Sequence, residues 1–421
     1  MNIKLNKSEV IPPSGARGLS IKISGSKSET NRLLLLQALY PNLVLENTSN
    51  SDDSEVMNKA LSDNRQPTTD NQIDIHHAGT AMRFLTAYFS IQDGKEIVLT
   101  GSSRMKERPI KILVDALKQL GAEISYEENN GFPPIRIKGK KLTQNKVSLS
   151  ANVSSQYISA LLLIAPKLEN GIELTLEGEI TSVPYIKMTL SLLNEIGVAT
   201  SFLGNKIIVK PAITLSAVEG QQLITVESDW SSASYFYSIV ALSKIGTEIT
   251  LSSYKKNSLQ GDSVLVEIYK DFGVETRFED DSISLRKTDN RQPTTDNYQL
   301  NNAPDIAQTI AVTCFGLGIS CHLTGLHTLK IKETDRLQAL KNELEKLGAS
   351  VAISNDTLTL EPSNTIQSNI KIKTYQDHRM AMAFAPLALK TDIIIEEAEV
   401  VSKSYPAFWE DLKSIGFQIS E

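Results

Sequence analysis

Cationic and carboxylate residues occur here in short clusters, each running directly into an apolar segment. Residues 25–32 read Gly-Ser-Lys-Ser-Glu-Thr-Asn-Arg, with Lys27, Ser28 and Arg32. Residues 77–83 read His-Ala-Gly-Thr-Ala-Met-Arg, and residues 104–109 read Arg-Met-Lys-Glu-Arg-Pro. Ser154, Ser155 and Gln156 open another apolar run, and Asp305 follows Pro304 ahead of the next. Residues 332–336 read Lys-Glu-Thr-Asp-Arg, and residues 377–382 read Asp-His-Arg-Met-Ala-Met. Lys and Arg suit phosphate and carboxylate groups, while paired carboxylates with a nearby imidazole suit proton transfer. A helix N-terminus adds unpaired N–H donors and a partial positive charge, so it favours anions. Each cluster alone also has a plain reading. The Gly-Ser-Lys-Ser turn reads as a capped helix with solvated charges and lacks P-loop spacing. The cations of residues 104–109 read as a solvated face, Asp305 as an N-cap, and Glu333 as a first-turn carboxylate facing the helix dipole.

The elements that must position these residues repeat. Apolar helices are expected to start near Thr30, Thr80, Gln156, Ser232, Ile306 and Met380, with bodies apolar enough for a core. Amphipathic helices alternate with them and end in an apolar–Gly–apolar stop at Gly121, Gly197, Gly273, Gly348 and Gly416. Alternating apolar residues follow each stop, as strands do. A unit of buried helix, strand, amphipathic helix and strands therefore recurs about every 75 residues, which points to a pseudo-symmetric architecture. The first unit lacks its glycine stop. Residues 63–71 stand there instead and return identically as residues 289–297. Both copies read as functionally neutral insertions between elements. Asp229, at the start of the fourth apolar helix, reads as a cap.

The chain has 421 residues, 41% hydrophobic and 22% charged, enough for two or three domains. A formal charge of −6 argues against a nucleic-acid binder. Cys314 and Cys321 lack metal-ligand spacing and read as buried structural residues. No run reaches transmembrane or signal-peptide length, so no membrane role is expected and the expected location is cytoplasmic.

Taken together the clusters carry a resemblance. The chain resembles the 5-enolpyruvylshikimate-3-phosphate synthase (3-phosphoshikimate 1-carboxyvinyltransferase) family over essentially its whole length. Residues 25–32, 78–83, 99–109, 154–156, 257–262 (Asn-Ser-Leu-Gln-Gly-Asp), 332–336, 377–382 and 403–406 carry it. The resemblance implies an α/β fold of two similar domains, each of three pseudo-repeats with buried parallel helices and sheets outside, an inside-out α/β barrel. The expected domains are residues 1–25 with 228–421, and residues 26–227. The implied activity moves the enolpyruvyl group of phosphoenolpyruvate to the 5-hydroxyl of shikimate 3-phosphate by addition and elimination, releasing phosphate. No cofactor or metal is implied, the partners are the two small substrates, and a monomer is expected.

By resemblance, Lys27, Gly79, Arg104, Gln156, Arg336, Arg379 and Lys403 hold phosphoenolpyruvate. Lys27, Ser28, Arg32, Ser154, Ser155, Gln156, Ser182, Tyr185, Asp305, Thr328 and Lys332 hold shikimate 3-phosphate. Asp305, Glu333, Lys27 and His378 carry the proton transfers. His77, Phe84, Val183 and Thr328 depart from the common family pattern, the first two beside the phosphoenolpyruvate residues. The alternative acceptor is UDP-N-acetylglucosamine, used by an enolpyruvyl transferase family that carries a Cys before its Arg-Pro helix; residues 101–109 contain none.

Overall fold

The computed structural model describes every residue except 11–18, 63–70, 152–153, 179, 181–182, 213–219, 292, 294 and 333. It divides into two units, Ser26–Val226 (the inserted unit) and Met1–Gly25 with Glu227–Glu421 (the discontinuous unit). In the inserted unit the helices are α1 (Lys27–Leu39), α2 (Asp52–Leu61), α3 (Gly79–Ser90), α4 (Ser103–Lys106), α5 (Lys111–Gln119), α6 (Ser155–Ile164) and α7 (Val183–Glu195). In the discontinuous unit they are α8 (Trp230–Leu242), α9 (Leu265–Ile268), α10 (Ala307–Leu317), α11 (Arg336–Lys346), α12 (His378–Phe384) and α13 (Phe408–Ser414).

Apolar residues all round a helix leave it no solvent face, so such helices become the core. Every residue of α8 and of α12 is buried, as is α10 from Ala307 through Phe315. Side-chain hydroxyls link these helices as rungs: Ser234 Oγ with Thr309 Oγ1 (3.0 Å), and Thr313 Oγ1 donating to Ser238 Oγ (2.7 Å). Their N-terminal ends meet through Arg379, Ser231 and Asp305. At the other end a Cβ on Gly316 would meet Leu242 at 2.7 Å and Leu387 at 3.0 Å. The three helices therefore run parallel, with their N-termini gathered at one end. In the inserted unit α3 is buried except Thr80 and α6 except Gln156, and Gln156 Nε2 donates to Thr80 Oγ1 (3.0 Å) between their first turns. Cys314 and Cys321 are buried and unlinked, as read from the sequence.

Sheets cover these helices. Five share one plan, in which a parallel pair is extended by two antiparallel strands; in four these two form a hairpin, and in the fifth they are Ile3–Asn6 and Gln418–Ser420. Gln72–Asp74 runs parallel to Glu96–Thr100, which pairs with Ile135–Lys138 and so with Glu123–Tyr126. The expected glycine stops all take left-handed φ: 101° at Gly121, 90° at Gly197, 73° at Gly273, 100° at Gly348 and 108° at Gly416. The sixth sheet is only the parallel pair Leu43–Glu46 and Gln222–Thr225. After α2 the chain passes through residues 63–70, outside the described residues, into Gln72–Asp74 of the next sheet. Among the described residues, then, that repeat lacks its hairpin.

Candidate functional site

In the discontinuous unit, carboxylates and guanidiniums gather where the parallel helices begin. Asp305 lies in the 3-10 turn Pro304–Ile306 that leads into α10. Three cations surround its carboxylate: Arg336 Nη1 at 2.9 Å, Arg379 Nη2 at 3.2 Å and Lys332 Nζ at 3.5 Å. Arg336 also donates from Nε to Asp377 Oδ2 (2.5 Å) and is 2% exposed. A cation in the first turn of α11 works against the helix dipole, so its place is set by these carboxylates and not by helix preference.

Asp377 caps α12 by accepting from Arg379 N (2.9 Å). The two residues before it, Tyr375 and Gln376, both have φ of 55°. Consecutive left-handed side-chain-bearing residues are strained, and such strain persists only where surrounding contacts enforce it. Lys403 Nζ donating to Gln376 O (2.8 Å) is one such contact. His378 is buried, with Nδ1 3.8 Å from Asp377 Oδ1. Burial opposes the charge of Arg379, but Asp305, Tyr235, Asp262 and Asp229 outweigh it and push the guanidinium pKa up. Arg379 Nε is buried with no hydrogen-bond partner among the described residues. Nη2 of this fork is held by the protein, through Ser231 and Asp305. Thr328 Oγ1 is buried and likewise without a partner among the described residues.

The inserted unit is cationic at its helix starts. Arg32 is buried and donates to Thr189 Oγ1 (2.8 Å), Ser28 O (2.7 Å) and Ser159 Oγ (3.0 Å). Its guanidinium lies 5.4 Å from the Phe84 ring centre and 5.9 Å from that of Tyr185. Arg83 is buried too, donating to Gly79 O (2.9 Å) and facing the Tyr157 ring. Burial pulls both arginines down to about 10, and for Arg83 the charge of Arg108 adds to the effect. Among the described residues, Arg32, Arg83 and Arg108 form no ion pair with a carboxylate. Buried positive charge is costly where no carboxylate pairs with it directly, and at Arg32 the charge of the nearby buried Glu29 offsets part of that cost. Ser154 caps α6 and accepts from Gln156 N (3.4 Å). Lys27, the first residue of α1, is 3.7 Å from Asp53 Oδ2, and His77 Nε2 is 3.9 Å from Asp53 Oδ1.

The structure thus brings Lys332, Arg336, Asp305, Arg379 and His378 together in one unit, with Lys403 against the turn before Asp377. In the other it brings together Ser28, Arg32 and Tyr185 around one guanidinium, and Gly79 and Gln156 at adjacent helix starts. Ser155 is buried in the first turn of α6. Glu333 and Ser182 lie outside the described residues. Arg104, expected to hold phosphoenolpyruvate, is exposed and pairs with Glu107 (2.8 Å). Arg108 lies beside Gly79, its Nη1 only 2.6 Å from where a Cβ on Gly79 would stand. Helix α4 ends at Lys106, so the turn toward Pro109 aims Arg108 inward while Arg104 stays on the outer face. Phe84, expected beside the phosphoenolpyruvate residues, packs under Arg32. The pairing of Asp53 with Lys27 and of Asp377 with Arg336 joins distant segments and leaves no local sequence signal. Asp229 is the N-cap of α8, accepting from Ser232 N (3.1 Å).

The family model described as EPSP synthase (3-phosphoshikimate 1-carboxyvinyltransferase) matches residues 41–412. A Bacteroides fragilis protein named 3-phosphoshikimate 1-carboxyvinyltransferase is 46% identical, over 95% of this chain and 96% of its own. A Colwellia psychrerythraea protein of the same name is 35% identical over 96% and 98%. Among solved structures, an EPSP synthase from Acinetobacter baumannii superposes with a TM-score of 0.77 at 21% identity, covering 100% of both chains. The enolpyruvyl transferase NikO from Streptomyces tendae superposes at 0.71 with 13% identity, over 100% and 98%.

Proposed function

The chain belongs to the EPSP synthase (3-phosphoshikimate 1-carboxyvinyltransferase) family, and we propose how its residues divide the transfer of an enolpyruvyl group from phosphoenolpyruvate to shikimate 3-phosphate. The observation that carries the division is the convergence of Arg336, Arg379 and Lys332 on Asp305 at the gathered helix starts. In the discontinuous unit, Arg336 and Arg379 bind donor anions, for which planar forks are suited. Lys403 adds a further charge. Asp305 takes the proton of the 5-hydroxyl, and Glu333 with His378 serves the transfers at the methylene carbon. Lys332 and Thr328 contact the acceptor.

In the inserted unit, Arg32, Ser28 and Tyr185 form a platform for the shikimate ring, and Ser154, Ser155, Gln156 and Ser182 hold its phosphate. Lys27, held near Asp53, supplies a proton-bearing cation. Gly79 and Arg108 form a second anion subsite. Addition gives a tetrahedral adduct, and elimination of phosphate then regenerates the enol ether. The reaction is read as needing no cofactor, and the protein as a cytoplasmic monomer acting on small molecules. No helix among the described residues is long and apolar enough to cross a membrane. Phosphate release from phosphoenolpyruvate should appear with shikimate 3-phosphate and not with UDP-N-acetylglucosamine. The opposite preference would overturn the acceptor.

Two substitutions test the second anion subsite. Arg108→Ala should raise KM for phosphoenolpyruvate about tenfold or more, whereas Arg104→Ala changes it less than about twofold, as expected for an exposed pair. Equal effects from both would undo the distinction. Gly79→Ala places a methyl group against the Arg108 guanidinium. Ala is favoured over Gly within a helix by about 1 kcal/mol, so the variant should melt no lower than wild type yet bind phosphoenolpyruvate more weakly. A melting loss with unchanged KM would point to packing instead.

A further inference from the structure

Asp262 ends the Asn-Ser-Leu-Gln-Gly-Asp segment and has no place in the scheme above. It is buried at 6% exposure in the 3-10 turn Gly261–Val264. The segment is laced to the start of α8. Gln260 accepts from Trp230 N (3.0 Å) and donates to Ser228 O (3.0 Å), while Ser258 Oγ donates to Glu227 Oε2 (2.7 Å). The carboxylate of Asp262 is thereby pressed against the first turn of α8, where Ser231 Oγ donates to it. Among the described residues that hydroxyl is its only hydrogen-bond donor, and it forms no ion pair.

A buried carboxylate without an ion pair is costly, and its surroundings sharpen the cost. Asp305, from the turn before α10, and Asp229, capping α8, repel it; Arg379, from α12, attracts it. Burial first, and these carboxylates second, push Asp262 up to about 7. A packing role would be better met by an apolar residue.

The geometry supplies a different role. A hydroxyl has one proton and two lone pairs. Ser231 also accepts from Arg379 Nη2 (3.3 Å). Because Asp262 takes the Ser231 proton, the serine lone pairs are left facing the guanidinium. Without that acceptor the hydroxyl proton is no longer held on the far side, and the rotating hydroxyl presents less electron density to Arg379. Asp305 Oδ2 shares the same Nη2 (3.2 Å), so the guanidinium is fixed from two sides.

We propose that Asp262 is a positioning residue that orients the Ser231 hydroxyl as an acceptor and thereby fixes the Arg379 fork for the phosphoenolpyruvate anion. This rests on the reading of Arg379 as a donor-anion ligand. Asn at position 262 still offers an oxygen to Ser231; Ala does not. Ser231→Ala cuts the same link with a much smaller change.

The test is steady-state kinetics on the full-length enzyme for Asp262→Ala, Asp262→Asn, Ser231→Ala, the Asp262→Ala/Ser231→Ala pair and Arg379→Lys, each checked by circular dichroism and melting. Asp262→Ala and Ser231→Ala should each raise KM for phosphoenolpyruvate by about tenfold, the scale of one charge-assisted hydrogen bond, with kcat and KM for shikimate 3-phosphate within about twofold. The pair should be no worse than either single variant, and Asp262→Asn should stay within about threefold of wild type. Additive effects, or a loss confined to kcat, overturn the positioning role. So does an unchanged KM in folded Ser231→Ala while Arg379→Lys raises it. If Arg379→Lys itself leaves KM for phosphoenolpyruvate unaltered, the reading of Arg379 fails first, and that result is distinct from the others.

Discussion

Asp305→Asn is expected to fold and to lose turnover by about two to four orders of magnitude, the range for removing a positioned general base. The substitution keeps the shape and one oxygen of the side chain but cannot accept a proton from a hydroxyl. It also turns an N–H toward guanidiniums that had an oxygen at 2.9 and 3.2 Å. That mismatch should cost roughly 1–3 kcal/mol of stability, as for other unsatisfied buried donors. The two effects separate cleanly. Melting reports the loss of stability, and phosphate release at saturating substrates reports the loss of turnover. A folded variant retaining more than a tenth of wild-type kcat would take Asp305 out of the chemistry and leave it as a ligand for Arg336 and Arg379. Asp305→Glu gives the converse control: it keeps the carboxylate and moves it by one methylene, so a partial loss is expected.

Much of this architecture was legible because its signals are local. Apolar runs with no polar stripe must be core helices, and a glycine after the last turn must stop a helix. Five of the six starts, with the five stops, recur at a near-constant period and therefore imply stacked repeats. Asp305 behind Pro304 and Asp377 ahead of α12 sit at positions a cap reader would mark. What stayed hidden depends on where chains turn after leaving a helix. Arg104 and Arg108 are four residues apart and would share a face on a continuous helix, but α4 stops at Lys106 and separates their fates. The pairing of Lys27 with Asp53, of Arg336 with Asp377 and of Ser231 with Asp262 joins segments 26, 41 and 31 residues apart, as the ion pairs and the hydrogen bond show. No periodicity encodes such pairs. The missing hairpin was visible only as a missing glycine. Its meaning required the sheet topology, in which one repeat keeps its parallel pair and nothing beyond it among the described residues.

Arg336→Met should be the most destabilising single change in the cluster, costing about 3–5 kcal/mol, because removing one partner of a buried ion pair strands the other charge. Asp377 is the stranded group: its side chain is fully buried and accepts Arg336 Nε at 2.5 Å and Nη2 at 3.4 Å. Urea unfolding should show a lower midpoint with an unchanged slope if the native state remains compact. Adding Asp377→Asn to Arg336→Met should recover part of the loss, since a neutral amide no longer needs the cation and can still cap α12. Such recovery marks coupling between the two residues, as expected for groups in direct contact. Strictly additive losses would mean that Arg336 and Asp377 stabilise the fold independently. Activity supplies the other half of the argument. The recovered double variant should remain without turnover, because its restored stability does not restore the fork that Asp305 and the donor anion share. Recovery of turnover along with stability would show that Arg336 serves the fold alone, and the donor anion would then have to be assigned to Arg379 and Lys403.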